Sequence, residues 1–338
     1  MMANPSTLFR TRRVLTGDRP TGPLHLGHYV GTLKARLELQ EQGNEVFILV
    51  ADYHALTRGI RREKTVRLKE NTRELLRDYL AVGLDPKRTT IYRQSDVPQV
   101  AELALLFGML VTVPRLSRVP VLKEVMRDEQ IENPSFGLLG YPVLQAADIA
   151  LVKGELVPVG KDQASHLEVA REIVRRFNGE FGKVFPEPEA LIKGEVLPGT
   201  DGSSKMGKSL GNAIMLSDDE KTVKEKVMGM YTDPTRIRPT DFGHVEGNPV
   251  FAYLDAFATD SQKVSDYKEL YQKGKVGDVE VKKYLVQVLH EFLSPIRERR
   301  KEFSAEKDLE IILEEGKNKV LPVAQETLRQ ARQAIGIE

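Results

Sequence analysis

The hydrophobic positions of this chain change their rhythm near residue 205. Before it, short apolar runs alternate with longer segments of helical spacing. Val14–Thr16 reads as a buried strand and Tyr29–Leu39 as the helix that follows. Glu45–Ala51 (EVFILVA) is compact and apolar, fit for an inner parallel strand. Lys64–Val82 is charged, yet Val66, Leu75, Leu76, Tyr79 and Leu80 recur at helical spacing. This predicts a crossover helix with a solvated face, ended by Gly83 and Pro86. Thr89–Arg93 is the next strand, and Glu155–Gly160 a further one, followed by a helix over Ser165–Phe177. The order predicts an α/β fold with a doubly wound parallel sheet and right-handed crossovers.

Residues 99–130 interrupt this order. Ala101–Val113 is apolar on all sides and predicts a helix covered either by the core or by another chain. Arg115–Glu129 is charged and reads as exposed, whereas Gly137–Val152 returns to an apolar helix. Residues 183–200 are rich in Pro and Gly and read as irregular. From Asp218 onward only helical spacing is found, in Asp218–Met230, Asn248–Phe257, Lys263–Lys273, Val279–Phe303 and Leu309–Ile335. The expected division is a sheet domain over 1–205 and a C-terminal α-helical domain over 206–338, with the hinge near 205–217.

Composition narrows the chemistry. A length of 338 residues suits two domains. The formal charge of +1 gives no global field for nucleic acid or membrane, so an RNA partner needs a local basic patch. Arg297–Lys301 is one such run, either a solvated helix face or a contact for RNA phosphates. The chain has no cysteine, which removes disulfides, thiolate nucleophiles and Cys-ligated zinc. No apolar run approaches the ~20 residues that span a bilayer. The first residues lack a signal-peptide core, and a cytoplasmic location is expected.

Candidate chemistry gathers at four places. Gly17–Gly31 (GDRPTGPLHLGHYVG) is a strand end, a Gly/Pro turn and a helix start. Gly17 and Gly22 are expected to permit the turn, and Gly27 a close approach to the helix. A helix start suits a phosphate, and His25 and His28 stand three apart across it as hydrogen-bond donors. Read plainly, it is a strand–helix junction with two surface histidines. Asp52, Tyr53 and His54 follow the second strand, at the carboxyl end where α/β sheets bind ligands. Tyr141, Gln145 and Asp148 share one face of an apolar helix, and a carboxylate there needs a partner, either a structural one or a ligand donor. Asp201–Ser209 is a small, polar, Gly-containing stretch, either a surface loop or an arm placing Lys205 and Lys208 on a polyphosphate.

These residues carry a resemblance. HLGH at His25–His28 resembles the HIGH motif of class I aminoacyl-tRNA synthetases, and KMGKS at Lys205–Ser209 resembles their KMSKS loop. Over nearly its whole length the chain resembles the bacterial tryptophanyl-tRNA synthetases, through the first motif segment, YPVLQAADIALV, LVPVGKDQASHLEVAREIVRRFN, LPGTDGSSKMGKS and MGMYTDP. The resemblance implies a Rossmann-like catalytic domain and a helical domain that binds the tRNA anticodon. It implies activation of L-tryptophan by ATP to an adenylate, with release of pyrophosphate, then transfer to tRNA(Trp). His25, His28, Lys205 and Lys208 would be catalytic. Arg19, Pro20, Thr21, Gly27, Gly160, Lys161, Asp162, Val196, Met206, Gly207 and Ser209 would join His28, Lys205 and Lys208 around ATP. Asp148 would accept the indole N–H, with Tyr141, Gln145, His54, Val157 and Gln163 around it. Mg²⁺ would arrive with ATP, without a dedicated protein site, and a homodimer is expected.

Three residues depart from the family pattern. Gly207 stands where serine is usual, Arg19 where glutamine is common, and Gln145 where methionine is frequent. The nearest rival is a tyrosyl-tRNA synthetase, which shares the YxxxQAxD pattern. That family places a tyrosine at the position of Leu15 to bind the phenol, and leucine cannot do so. A small-molecule nucleotidylyltransferase would lack the KMGKS loop and this length. A paralogue with an RNA-binding or regulatory role is a third reading.

Overall fold

The computed structural model of the protein describes residues 11–128, 130–159, 164–236, 238 and 240–338. Five parallel strands form a sheet in the order β3-β2-β1-β4-β5. β1 (Arg13–Asp18) pairs with β2 (Glu45–Val50), Leu15 opposite Phe47, and β3 (Thr89–Arg93) places Ile91 opposite Ile48. On the other side of β1, Val14 meets Leu156 of β4 (Leu156–Val159), and β5 (Glu189–Ile192) forms the edge. The order reverses between β1 and β4, so the crevice at their carboxyl ends is the natural ligand position.

The helices follow in chain order. α1 (Leu26–His28) runs through a π turn (Tyr29–Leu33) into α2 (Lys34–Glu41). Next come α3 (Asp52–Leu56), α4 (Arg62–Thr65) and α5 (Leu68–Val82), where Gly83 takes a left-handed φ of 110° as the cap. Between β3 and β4 lie α6 (Gln99–Gly108), α7 (Val113–Ser117), α8 (Pro120–Asp128) and α9 (Phe136–Leu151). α10 (Ala164–Phe181) packs on α9 and precedes β5. The remainder is helical: α11 (Glu220–Met228), α12 (Pro249–Phe257), α13 (Ser261–Gln272), α14 (Asp278–Glu302) and α15 (Glu306–Ile335).

The inner strands are apolar at their centres, and their alternation divides them between two cores. Val14, Val46, Ile48, Val50 and Ile91 pack with α5 and the C-terminal helices. Leu15, Phe47, Leu49 and Tyr92 pack with α6, α9 and α10. α15 belongs to both, with Leu309 and Leu313 in the first core and Val320, Ala324, Leu328 and Ala331 in the second. It crosses the sheet edge along β3 at Gly316, where a Cβ would stand 1.8 Å from the Ile91 carbonyl oxygen. The last helix is thus part of the layer that carries the sheet.

Several expectations need correction. Gly17 lies inside β1 and makes no turn; a Cβ there would be 2.2 Å from Leu49 O, so close strand packing is what needs glycine. The expected helix over 101–113 ends at Gly108, because Thr112 is extended and Pro114 starts α7. Its apolar residues divide, with Leu103 and Phe107 buried and Leu105, Met109 and Val113 exposed. Residues 183–200 contain β5, an edge strand of only four residues set in a Pro- and Gly-rich stretch. The basic run in α14 is neither a solvated face nor open to RNA as a unit. Arg300 binds Glu74 and Asp78, Arg299 donates to Ala81 O at 2.6 Å, and Arg297 reaches Glu220 at 3.4 Å. Those cations fasten α14 to α5 and α11.

Candidate active site

The imidazole turn is held from behind. Gly22 takes a φ of 103°, which a side chain would resist. Leu24 N–H then donates to Asp78 Oδ2 at 2.6 Å. Asp78 is fully buried, and burial pushes its carboxyl up to about 6 even with Arg300 beside it. From Leu24 the chain meets residues 214–216 in an antiparallel splice. Leu216 N–H donates to Leu24 O and Leu26 N–H to Ile214 O, each at 2.9 Å, with His25 opposite Met215. The Leu26 amide is therefore taken by the protein, so the helix start offers a phosphate fewer open donors than its sequence implies.

The same splice brings the lysine loop over the turn. Met206 is buried, and a Cβ on Gly27 would lie 3.5 Å from Met206 Cβ and 2.9 Å from His25 Nδ1. Glycine at 27 is what leaves room for the His25 ring, and Met206 packs against the same spot. Lys208 Nζ donates to Gly22 O at 2.9 Å, and its pKa is lowered by burial. Asn212, itself buried, binds Asp201 Oδ1 and Ser203 Oγ through Nδ2 and accepts from Gly207 N–H at 2.8 Å. The loop is fastened at its base while Lys205 stays exposed. At Gly207 the backbone is extended, and a serine Cβ would sit 3.3 Å from Leu210 Cδ1, an exposed side chain able to yield.

His25 and His28 lie with ring centroids 3.8 Å apart. Burial, reinforced by neighbouring cations, lowers His25 to about 3 and His28 to about 4. Both are neutral at pH 7 and act as dipolar donors rather than charges. His25 Nδ1 is buried without a hydrogen-bond partner among the described residues.

Beside the turn, a cavity of about 510 Å³ opens between β1, α3, α8, α9 and β4, within the size range of small-molecule sites. Arg19, His54, Tyr141, Gln145, Asp148, Val157 and Lys205 all line it. Asp148 is 3% exposed. His54 Nε2 stands 2.9 Å from its Oδ2, and Gln94 Nε2 donates to both oxygens at 2.9 Å. Burial pushes the Asp148 carboxyl up, and those hydrogen bonds pull it back. A carboxylate has about four acceptor positions. Among the described residues Gln94 is the one hydrogen-bond donor to Oδ1, so this oxygen retains capacity for a ligand N–H. The wall of the cavity also holds Asp18 and Arg36. Arg36 Nη1 donates to Asp18 Oδ2 at 2.6 Å, and Tyr79 Oη donates to the same oxygen at 2.7 Å. Burial alone would raise Asp18, but the guanidinium and hydroxyl hold it down to about 2.

The comparisons with known proteins match this geometry. The family described as tRNA synthetases class I (W and Y) fits residues 9–294. The tryptophan–tRNA ligase of Treponema pallidum is 53% identical over 327 residues, covering 96% of this chain and 97% of that protein. The chain belongs to the class I tryptophanyl-tRNA synthetases. The tryptophan–tRNA ligase of Clostridium longisporum is 50% identical, covering 96% of this chain and 97% of its own. The solved tryptophanyl-tRNA synthetase of Campylobacter jejuni, complexed with ADP and tryptophan, superposes with a TM-score of 0.83 at 35% identity, covering 96% of this chain and 99% of that one.

Seen within the tryptophanyl-tRNA synthetases, the residues singled out in the sequence fall into three groups. His25, Gly27, His28, Met206, Gly207 and Lys208 come together at the splice, and Ser209 follows in the 3₁₀ turn Lys208–Leu210. Thr21 lies 3.4 Å from Lys208 Nζ, and Pro20 beside it is buried. The cavity set forms the second group. Val196 stands apart from it, 67% exposed beside Glu195, whose carbonyl approaches Gly31. Gly160, Lys161, Asp162 and Gln163 lie outside the described residues. Gln94, Asp18, Arg36, Tyr79 and Asp78 were not singled out. Gln94 had a signal in its place after β3, and Arg36 in its spacing of three from Leu33 and Leu39 on the buried face of α2.

Proposed function

We propose that the protein activates L-tryptophan with ATP and transfers it to tRNA(Trp). The observation that carries this reading is the splice of residues 24–26 with 214–216, which seats Met206 on Gly27 beside the cavity that ends in Asp148. In the first step a carboxylate oxygen of tryptophan attacks the α-phosphorus of ATP. The P–O bond to the β-phosphate breaks and pyrophosphate leaves. In the second, a ribose hydroxyl of the terminal adenosine attacks the acyl carbon, and AMP leaves. Such phosphoryl chemistry asks for alignment and charge stabilisation more than for a protein nucleophile. Neutral His25 and His28 would donate to phosphoryl oxygens as charge moves toward the leaving group. Lys208 would leave Gly22 O for the pyrophosphate, with Lys205 swinging in from the exposed side of the loop. Asp148 Oδ1 would take the indole N–H, held in line by Gln94 and His54.

The reading has further parts. Mg²⁺ would ride on the phosphate oxygens of ATP. Residues 1–205 would carry activation, and 206–338 the phosphate loop and the anticodon contacts. The exposed apolar side chains Leu105, Met109, Val113 and Phe136 support a homodimer. No helix among the described residues is long and apolar enough to cross a membrane, and we place the enzyme in the cytoplasm.

Amino-acid-dependent ATP–pyrophosphate exchange tests the first step, and charging of tRNA(Trp) the second. Exchange with tryptophan and none with tyrosine is expected. Exchange driven by tyrosine would instead favour the tyrosyl reading, and exchange without charging the regulatory one.

A further inference from the structure

We propose that the arm leaving the rim of the cavity, residues 58–69, is the rest for the sugar–phosphate backbone of tRNA as its 3′ end enters. This proposal rests on the function argued above. The arm reads RGIRREKTVRLK, six basic residues and one acidic, a local charge of +5 in a chain whose formal charge is +1. The remainder of the chain is therefore net acidic, and this is its concentrated source of positive field. The arm's position is as telling as its charge. Thr57 and Arg58 line the cavity, directly after α3, which supplies His54. Gly59 then takes a φ of 109° and the chain turns away from the cavity wall.

Arg61, Arg62, Arg67 and Lys69 are exposed, and no ion pair among the described residues engages them. Further along α5, Arg73 and Arg77 are both paired with Glu70, so the lack of an ion pair at those four positions is not the habit of their surroundings. Ile60 and Val66 lie among these cations at 76% and 71% exposure. α8 presents Glu124 and Asp128 to the same cavity. A polyanion approaching the opening is drawn toward the basic arm and repelled by these carboxylates. Lys205 and Lys208 already serve the nucleotide side, and six further cations exceed what one triphosphate occupies. A nucleic-acid backbone, with a charge on every residue, fits the arm's length and field.

The test is the full chain with Arg61→Ala, Arg62→Ala and Arg67→Ala combined, all three being exposed. Charging efficiency (kcat/KM) for tRNA should fall on the order of tenfold or more at moderate salt, and the slope of log KM against log salt should shrink by about 2–3. Tryptophan-dependent pyrophosphate exchange should stay at the parental rate, and the corresponding triple lysine variant should regain the salt slope. An unchanged tRNA KM and slope would overturn the proposal. A parallel loss of exchange would overturn it too, by assigning the arm to the nucleotide. If the parent chain itself shows no exchange, the function reading fails, and filter binding of tRNA then judges the arm: a slope unaltered by the triple variant rejects it.

Discussion

Asp148→Asn is the most informative single change, because it alters one acceptor and little else. The side chain keeps its volume, and α9 keeps its packing. The amide oxygen will stay where His54 Nε2 and Gln94 Nε2 both donate, at the position of Oδ2. The amide nitrogen then replaces Oδ1, and an indole N–H meets a donor where it needs an acceptor. A hydrogen bond to a charged group contributes about 1.5–3 kcal/mol. Tryptophan binding should therefore weaken by roughly 10–150-fold. ATP binding should change little, since the hydrogen-bond partners of Asp148 among the described residues are His54 and Gln94, which belong to neither the imidazole turn nor the lysine loop. The assay is direct, because the chain has no tryptophan of its own and bound substrate emits against a dark background. Loss of tryptophan affinity below about threefold, or an equal loss of both ligands, refutes the role assigned to Oδ1.

Three further outcomes are expected. Lys208→Ala should lower the adenylation rate by roughly 10²-fold, the usual scale for an electrostatic stabiliser, with tryptophan affinity retained; an unaltered exchange rate rejects that role. His25 and His28, held down to about 3 and about 4, take up protons readily only in the unfolded chain. Their contribution to stability is complete above about pH 6.5 and is lost as pH falls toward 4. Asp78, raised to about 6, acts with the opposite sign, so the clean measurement is a difference. His28→Asn should flatten the fall of the urea midpoint between pH 7 and pH 5, and an unchanged slope speaks against a buried neutral imidazole. Gly316→Ala drives a methyl group into the Ile91 carbonyl, backbone against backbone, and should cost about 1–3 kcal/mol or more. A urea midpoint equal to that of the parent would show that α15 does not grip β3.

Much of this site was legible because its signals are local. Gly22, His25, Gly27 and His28 lie within seven residues, and Asp148 is the only carboxylate in an otherwise apolar helix. The strands β1 to β4 announced themselves as short runs between helical segments. β5 did not, since Glu189–Ile192 is only four residues long and sits inside a Pro- and Gly-rich stretch. The π turn at Tyr29–Leu33 also left no trace, because its residues keep a helical spacing. The basic run in α14 misled for a different reason. Its acidic partners, Glu74 and Asp78, lie more than 200 residues away, and only the fold brings them near. Arg36 too meets its partners only through the fold, Asp18 on β1 and the Tyr79 ring on α5. What sequence reasoning missed was pairing at a distance, whereas what it found was chemistry carried within one turn.

The passage of α15 over the edge of β3 bears on how the molecule is made. Contacts of high sequence separation slow folding, since long loops must close before they are rewarded. A nascent chain that has emerged through residue 209 holds β1 to β5 and both candidate motifs, yet one rim of the sheet lies bare until residues 306–335 have left the ribosome. During that interval the chain exposes an unfinished apolar seam, and a helper that shields such surfaces would find it there.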